Sequence, residues 1–199
     1  MRARCVTIAI FVLACIATLG NAQTFDLVDG TVDNAALCSL VLDDVIDLLG
    51  RPSAVESPSP FVSDILGPKV FYHDNGLYFW FRPGEVGQEP LLAVTLYLSR
   101  SWDADNSKWY SVFDGGLQPA ATNQWRVARS LEVLGPVGGV EKTPDEREAE
   151  WQETVGDLVR MPEGFAHLVE VDFEDGRRLV FHHEPVTRFL ERVGVICPS

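Results

Sequence analysis

Apolar side chains at Leu42, Val45, Ile46 and Leu49 recur at helical spacing and stop at Gly50 and Pro52. With Asp33 and Asn34 as caps, this predicts a helix from Ala35 to Leu49. A fainter copy of the pattern runs from Arg129 to Pro136 through Leu131, Leu134 and Gly135. Two hairpins are predicted downstream, one around Asp74-Asn75-Gly76 and one around Glu174-Asp175-Gly176. In the second, a three-residue loop sets Val169 against Phe181 and Val171 against Leu179, so apolar meets apolar. The same loop in the first sets Phe71 against Phe79 and Tyr72 against Tyr78. Phe71, Phe79 and Phe81 are then core residues, and Tyr72, Tyr78 and Trp80 occupy the opposite sheet face.

Leu91 to Ser99 reads as a third strand of the first unit. Thr143-Pro144-Asp145-Glu146 carries a capping box and predicts a helix ending before Pro162, with Trp151, Val155, Leu158 and Val159 on its buried face. Val186, Phe189, Leu190 and Val193 follow Pro185 at helical spacing and predict a last short helix. Gln23 to Asp33 reads as polar and irregular.

The expected fold class is therefore α+β: two related helix-plus-antiparallel-hairpin units, with the helices packed on one face of an antiparallel sheet. The organisation reads as a signal peptide over 1–22, a first unit over 23–100, an aromatic and polar connecting loop over 101–123, and a second unit over 124–199. Without gaps, Leu49 and Gly50 align with Leu134 and Gly135. Phe71, Gly76, Phe79 and Phe81 align with Val171, Gly176, Leu179 and Phe181.

Arg2 and Arg4 precede an apolar run from Val6 to Leu19, and Gly20-Asn21-Ala22 offers a small-x-small cleavage site. This predicts export to the periplasm or outside the cell, with no transmembrane segment in the mature chain. The alternative reads Val12-Leu13-Ala14-Cys15 as a lipoprotein box with Cys15 lipidated. Two of the 16 basic residues and none of the 29 acidic ones lie in 1–22, which leaves a mature net charge of −15. Such a surface repels nucleic acid and favours a basic protein partner or a cation. The two remaining cysteines, Cys38 and Cys197, predict a disulfide in an oxidising compartment, the alternative being two buried thiols.

Val45 to Pro52, followed by Phe71-Tyr72 and a hairpin of aromatics, resembles the helix, Leu-Gly-x-Pro and hairpin pattern of the BamE (SmpA/OmlA) lipoprotein domain. The tandem arrangement resembles that of the β-lactamase inhibitor protein. The resemblance implies a small, exported, non-catalytic α+β module that binds proteins.

No local motif for nucleophilic or metal-assisted hydrolysis occurs in the sequence. His182-His183-Glu184 could contribute one histidine to a site, because adjacent strand residues point to opposite faces. An envelope enzyme with a dispersed histidine and carboxylate site is thus one alternative function. Asp103, Asp105, Ser107 and Asp114 place oxygen donors at calcium-loop spacing and make a calcium-dependent cell-surface protein another. The leading expectation is a non-catalytic protein-binding module of the inhibitor, immunity or envelope-assembly kind. Its candidate binding residues are Tyr72, Tyr78, Trp80, Trp102, Trp109 and Tyr110, since exposed aromatics supply large contact area at low entropic cost.

Overall fold

The structure, a computed structural model, describes residues 23–58, 63, 66–104, 106–143, 145–146, 149 and 167–198. The expected signal segment with Cys15, Asp105, and most of the helix expected after Thr143 lie outside them. At the start of that helix, the Thr143 N–H donates to Glu146 Oε2 at 2.7 Å, as the capping box requires.

The described elements, in order, are β1 (Thr24–Asp26), β2 (Thr31–Val32), β3 (Ala35–Ala36), α1 (Leu42–Leu49), β4 (Ala54–Glu56), β5 (Lys69–Tyr72), β6 (Leu77–Phe81), β7 (Leu91–Tyr97), β8 (Ser101–Asp103), β9 (Lys108–Tyr110), β10 (Gly116–Gln118), α2 (Val127–Leu134), β11 (Val140–Lys142), β12 (His167–Asp172), β13 (Arg178–His183) and β14 (Leu190–Ile196). They form an α+β fold. An eight-stranded antiparallel sheet has the order β11-β12-β13-β14-β7-β6-β5-β4, a mixed four-stranded sheet the order β10-β1-β2-β3, and β8 pairs with β9 in a separate ribbon.

One face of the large sheet carries the main core. Val70, Tyr72, Leu77, Phe79, Val94 and Leu96 from the first half meet Val169, Val171, Leu179, Phe181, Val193 and Val195 from the second. Val45 of α1, Val127 and Leu134 of α2, and Phe25 and Leu27 close over this face. Cys38 and Cys197 are bridged, with their α-carbons 5.4 Å apart, which fastens the turn before α1 to the end of β14.

Several expectations change. Asp33 and Asn34 both have positive φ, 48° and 69°, so they turn β2 into β3 and do not cap a helix. α1 consequently starts only at Leu42, where the Asp44 carboxylate accepts from the Val41 N–H at 3.0 Å. Gln23 to Asp33 is not irregular: β1 pairs in parallel with β10 and seats Phe25 in the core. The 101–123 connection holds three strands, β8 to β10.

The last helix is instead β14, a central strand. Glu184 accepts from the Val186 N–H, Arg188 takes a positive φ of 58°, and the turn then delivers Leu190, Val193 and Val195 to the core with a bulge at His182/His183. The helical spacing of Val186 and Phe189 was coincidental, and the β-branched Val193, Val195 and Ile196 carried the better signal.

The second hairpin has the expected register, Val169 to Phe181 and Val171 to Leu179, with Gly176 at φ +82°. The first does not. Tyr72 pairs with Leu77 and Phe71 with Tyr78, leaving 73–76 as a four-residue turn. A one-residue slip exchanges faces. Tyr72 is therefore in the core, 2% exposed, with its hydroxyl donating to the Gly50 carbonyl at 3.0 Å. Phe71 is buried on the opposite face in a second cluster with Tyr97 and Tyr110.

Candidate functional site

Strand register sets which side chains share the face of the large sheet opposite the main core. One cross-strand row is Ala54, Phe71, Tyr78, Thr95, Gly194, Val180, Glu170 and Val140. A second is Lys69, Trp80, Ala93, Ile196 and Arg178. A third is Tyr97, Arg192, His182, Leu168 and Lys142. Aromatics thus fill the first-half side, small residues the middle, and charged residues the second-half side.

The middle is concave. A depression of about 260 Å³ is lined by Tyr78 and Trp80 on one side, Val180, His182 and Ile196 on the other, and Ala93, Thr95 and Gly194 between them. A smaller depression of about 230 Å³ lies beyond Trp80, against Glu56, Leu66 and Lys69. Trp80 is the wall between the two, and Lys69 Nζ sits 4.5 Å from its ring, a cation–π contact that restrains it. Among the described residues, both hollows open to solvent.

Beyond Tyr97 the β8–β9 ribbon closes the aromatic end. Tyr110 stacks on Tyr97 at 4.1 Å and on the His73 ring at 4.6 Å. His73 Nε2 lies 3.0 Å from Asp103 Oδ2, and the Asn106 N–H and side-chain amide donate to the same carboxylate. Burial alone would raise the Asp103 pKa, but hydrogen bonds from His73, Asn106 and Tyr110 outweigh it and hold the carboxyl below its ordinary value. Burial pushes the Tyr97 hydroxyl up to about 12 and raises the Tyr110 hydroxyl as well, with Tyr97 and Asp103 adding to the latter, so both phenols stay protonated.

The ribbon alternates. Asp103 and Tyr110 face inward, while Trp102 and Trp109, cross-strand partners with ring centroids 5.2 Å apart, face solvent at 49% and 50% exposure. Arg100 lies 4.9 Å over Trp109.

The six candidate aromatics therefore separate into three groups. Tyr78 and Trp80 line the central depression, Trp102 and Trp109 stand on the ribbon's outer side, and Tyr72 and Tyr110 are buried. Of the proposed calcium donors, Asp103 is turned inward onto His73, Ser107 and Asp114 are exposed, and Asp105 is outside the described residues. Among the described residues, no three His, Cys, Asp or Glu side chains converge as a metal site.

The histidines are mostly interior: His73, His167 and His183 are buried, and His182 alone reaches the depression. The residues missed in the sequence are the small ones, Ala93, Thr95 and Gly194, whose only signal is a glycine interrupting the apolar run Val193-Gly194-Val195.

His183 opposes His167 across β12 and β13, and Glu141 Oε1 lies 3.2 Å from His167 Nδ1. Burial, reinforced by His167, pulls the His183 pKa below its ordinary value, against the opposing pull of the Arg188 carbonyl and Glu141. The folded state thus binds this proton less readily than the unfolded chain. The stability it confers is complete above the unfolded value, about 6.5, and is lost as pH falls through the lower folded value. Urea denaturation at about pH 8 and pH 5 should show a loss of stability on acidification that is smaller in His183→Phe. An equal loss in both proteins would assign the acid sensitivity elsewhere.

No protein-family model, no curated protein and no solved structure matches the chain.

Proposed function

We propose that the chain is an exported, non-catalytic protein-binding module of the inhibitor, immunity or envelope-assembly kind, and that it binds through the open face of the eight-stranded sheet. The observation that carries this reading is the central depression, walled by Tyr78 and Trp80 and floored by small residues. A sheet face that folding alone required would close over such a hollow, and aromatic walls around a pocket are where binding energy concentrates.

We also read the fold as two related units, α1 with β4–β7 and α2 with β11–β14, joined where β7 meets β14. The registers support it. The core row Val70, Phe79, Val94 has its counterpart in Val169, Phe181, Val193, and Tyr72, Leu77, Leu96 in Val171, Leu179, Val195. This equivalence replaces the ungapped one, which set Phe71 against Val171 although the two lie on opposite faces. On this reading the binding face is built at the junction of the units, with neither half sufficient.

Charge enters at a distance. Asp43, Asp44 and Asp47 are exposed on α1, which packs on the core side of the sheet, so the acidity and the aromatics are not one surface. The field of a strongly acidic chain would speed encounter with a partner of positive net charge, and added salt should slow association. The aromatics would govern dissociation. Trp80→Ala is expected to weaken binding by about 2 kcal/mol or more with little change in thermal stability. The measurement is calorimetric titration of a partner captured from the native envelope. Equal affinity for the two proteins would remove the sheet face from the binding site.

A further inference from the structure

Gly194 sits in the middle of a central strand, where glycine costs roughly 0.5–1 kcal/mol relative to alanine. Its backbone does not require glycine, because its φ is not in the left-handed range. A Cβ built there would meet the Val94 carbonyl oxygen at 3.1 Å and Thr95 Oγ1 at 3.5 Å, so the backbone of the paired strand would have to give by a few tenths of an ångström. The side chain's absence does have one consequence, which is the open floor between Trp80 and Val180. A glycine that its backbone conformation does not demand, placed where its missing side chain leaves a hollow, points to a functional position.

Two residues earlier on the same face, about 7 Å along the strand, is Arg192. Its guanidinium is largely buried, hydrogen-bonded to Tyr97 and attracted by Glu191, but its Nε has no hydrogen-bond partner among the described residues. The row it belongs to, from Tyr97 to Lys142, contains no carboxylate. A buried donor without an acceptor is costly, and an acidic group arriving with a ligand would satisfy it.

We infer that Gly194 makes a pocket for one bulky apolar side chain of a protein partner, and that Arg192 receives a carboxylate from the neighbouring position of the same segment. The occupant is a protein loop whose tip carries an apolar residue beside an acidic one. Apart from His182 the pocket walls are apolar or aromatic, and its volume suits a single large side chain. This rests on the sheet-face reading above and adds the chemistry of the contact.

The test uses the full mature chain and three disulfide-cyclised hairpin peptides with Phe-Glu, Phe-Lys or Ala-Glu at the tip, followed by amide NMR titration. The Phe-Glu peptide should shift the Thr95 and Gly194 resonances saturably and bind about ten-fold or more tightly than the other two. Gly194→Val should abolish that binding. Ala93→Leu, which narrows the pocket from the next strand and leaves Gly194 in place, should do the same if the valine variant folds poorly. Arg192→Gln should erase the preference for glutamate over lysine. Equal binding of the three peptides, or undiminished Phe-Glu binding by Gly194→Val and Ala93→Leu, overturns the proposal. If no peptide shifts Thr95 or Gly194 while Trp80→Ala still weakens the captured partner, the pocket assignment fails and the sheet face stands. If Phe-Glu binds but Trp80→Ala leaves the captured partner unaffected, the broader reading fails.

Discussion

Replacing both Cys38 and Cys197 with alanine is expected to lower stability by about 5 kcal/mol on the loop-entropy account. The bridge spans a sequence separation of 159, so almost the whole described chain lies inside the loop it closes. Its placement adds to the effect. Cys197 is buried and follows β14, whose partners β13 and β7 join the two halves of the sheet. Cys38 lies in the short turn that seats Leu37 in the core, and Arg82 Nη2 donates at 2.8 Å to the carbonyls of both Cys197 and Pro198. Without the cross-link, the N-terminal segment and the end of β14 keep only these weaker ties. Urea denaturation of the double variant against the oxidised protein measures the difference. For a chain of this size the loss corresponds to roughly 10–20 °C in Tm. A change under about 1 kcal/mol would mean that residual structure in the unfolded chain already holds the two ends together.

How much of this fold was legible in the sequence depended on whether the signal was local. The end of α1 was legible because Gly50 and Pro52 stop a helix whatever surrounds it. The Val169 to Phe181 register was legible because one loop length paired all the apolar side chains. The bridge was legible from the cysteine count together with the export that the N-terminal pattern led one to expect. β14 was not, because Leu190 and Val193 lie three apart, which fits a helix, and they share one face of a strand only through the bulge opposite His182/His183, while pairing with both β13 and β7 decides the outcome. Asp33 and Asn34 are acceptable both as a helix cap and as a turn with positive φ, and the choice fell to pairing between β2 and β3. The depression at Gly194 was the least legible feature, since it needs residues from β6, β7, β13 and β14 at once.

The first hairpin shows the same limit at one residue, and Gly76→Ala should expose it with a loss of about 3 kcal/mol. Gly76 closes the four-residue turn at φ +69°, a conformation that costs a non-glycine residue roughly 1–2 kcal/mol by itself. The rest is packing. A Cβ there would fall 2.4 Å from the Ser111 carbonyl oxygen and 2.6 Å from the Phe113 nitrogen, both of them backbone atoms that no rotamer change can move. That backbone runs over the turn because the Ser111 N–H donates to the His73 carbonyl and the Phe113 N–H to the Tyr97 carbonyl, each at 2.8 Å. A sequence pattern can show that Asn75-Gly76 turns the chain, but it cannot show that a third segment lies against the turn. This contact accompanies the longer loop, which moved Tyr72 into the core and Phe71 out of it. Gly176 supplies the control. It has a similar φ of +82°, yet its Cβ would meet only the Pro198 side chain at 3.0 Å, so Gly176→Ala should cost about 1–2 kcal/mol. Urea denaturation of the two variants side by side reads the difference as the cost of displacing the segment that leads away from the ribbon. Equal losses would show that this segment yields easily, and that the register of the first hairpin is held by its side chains alone.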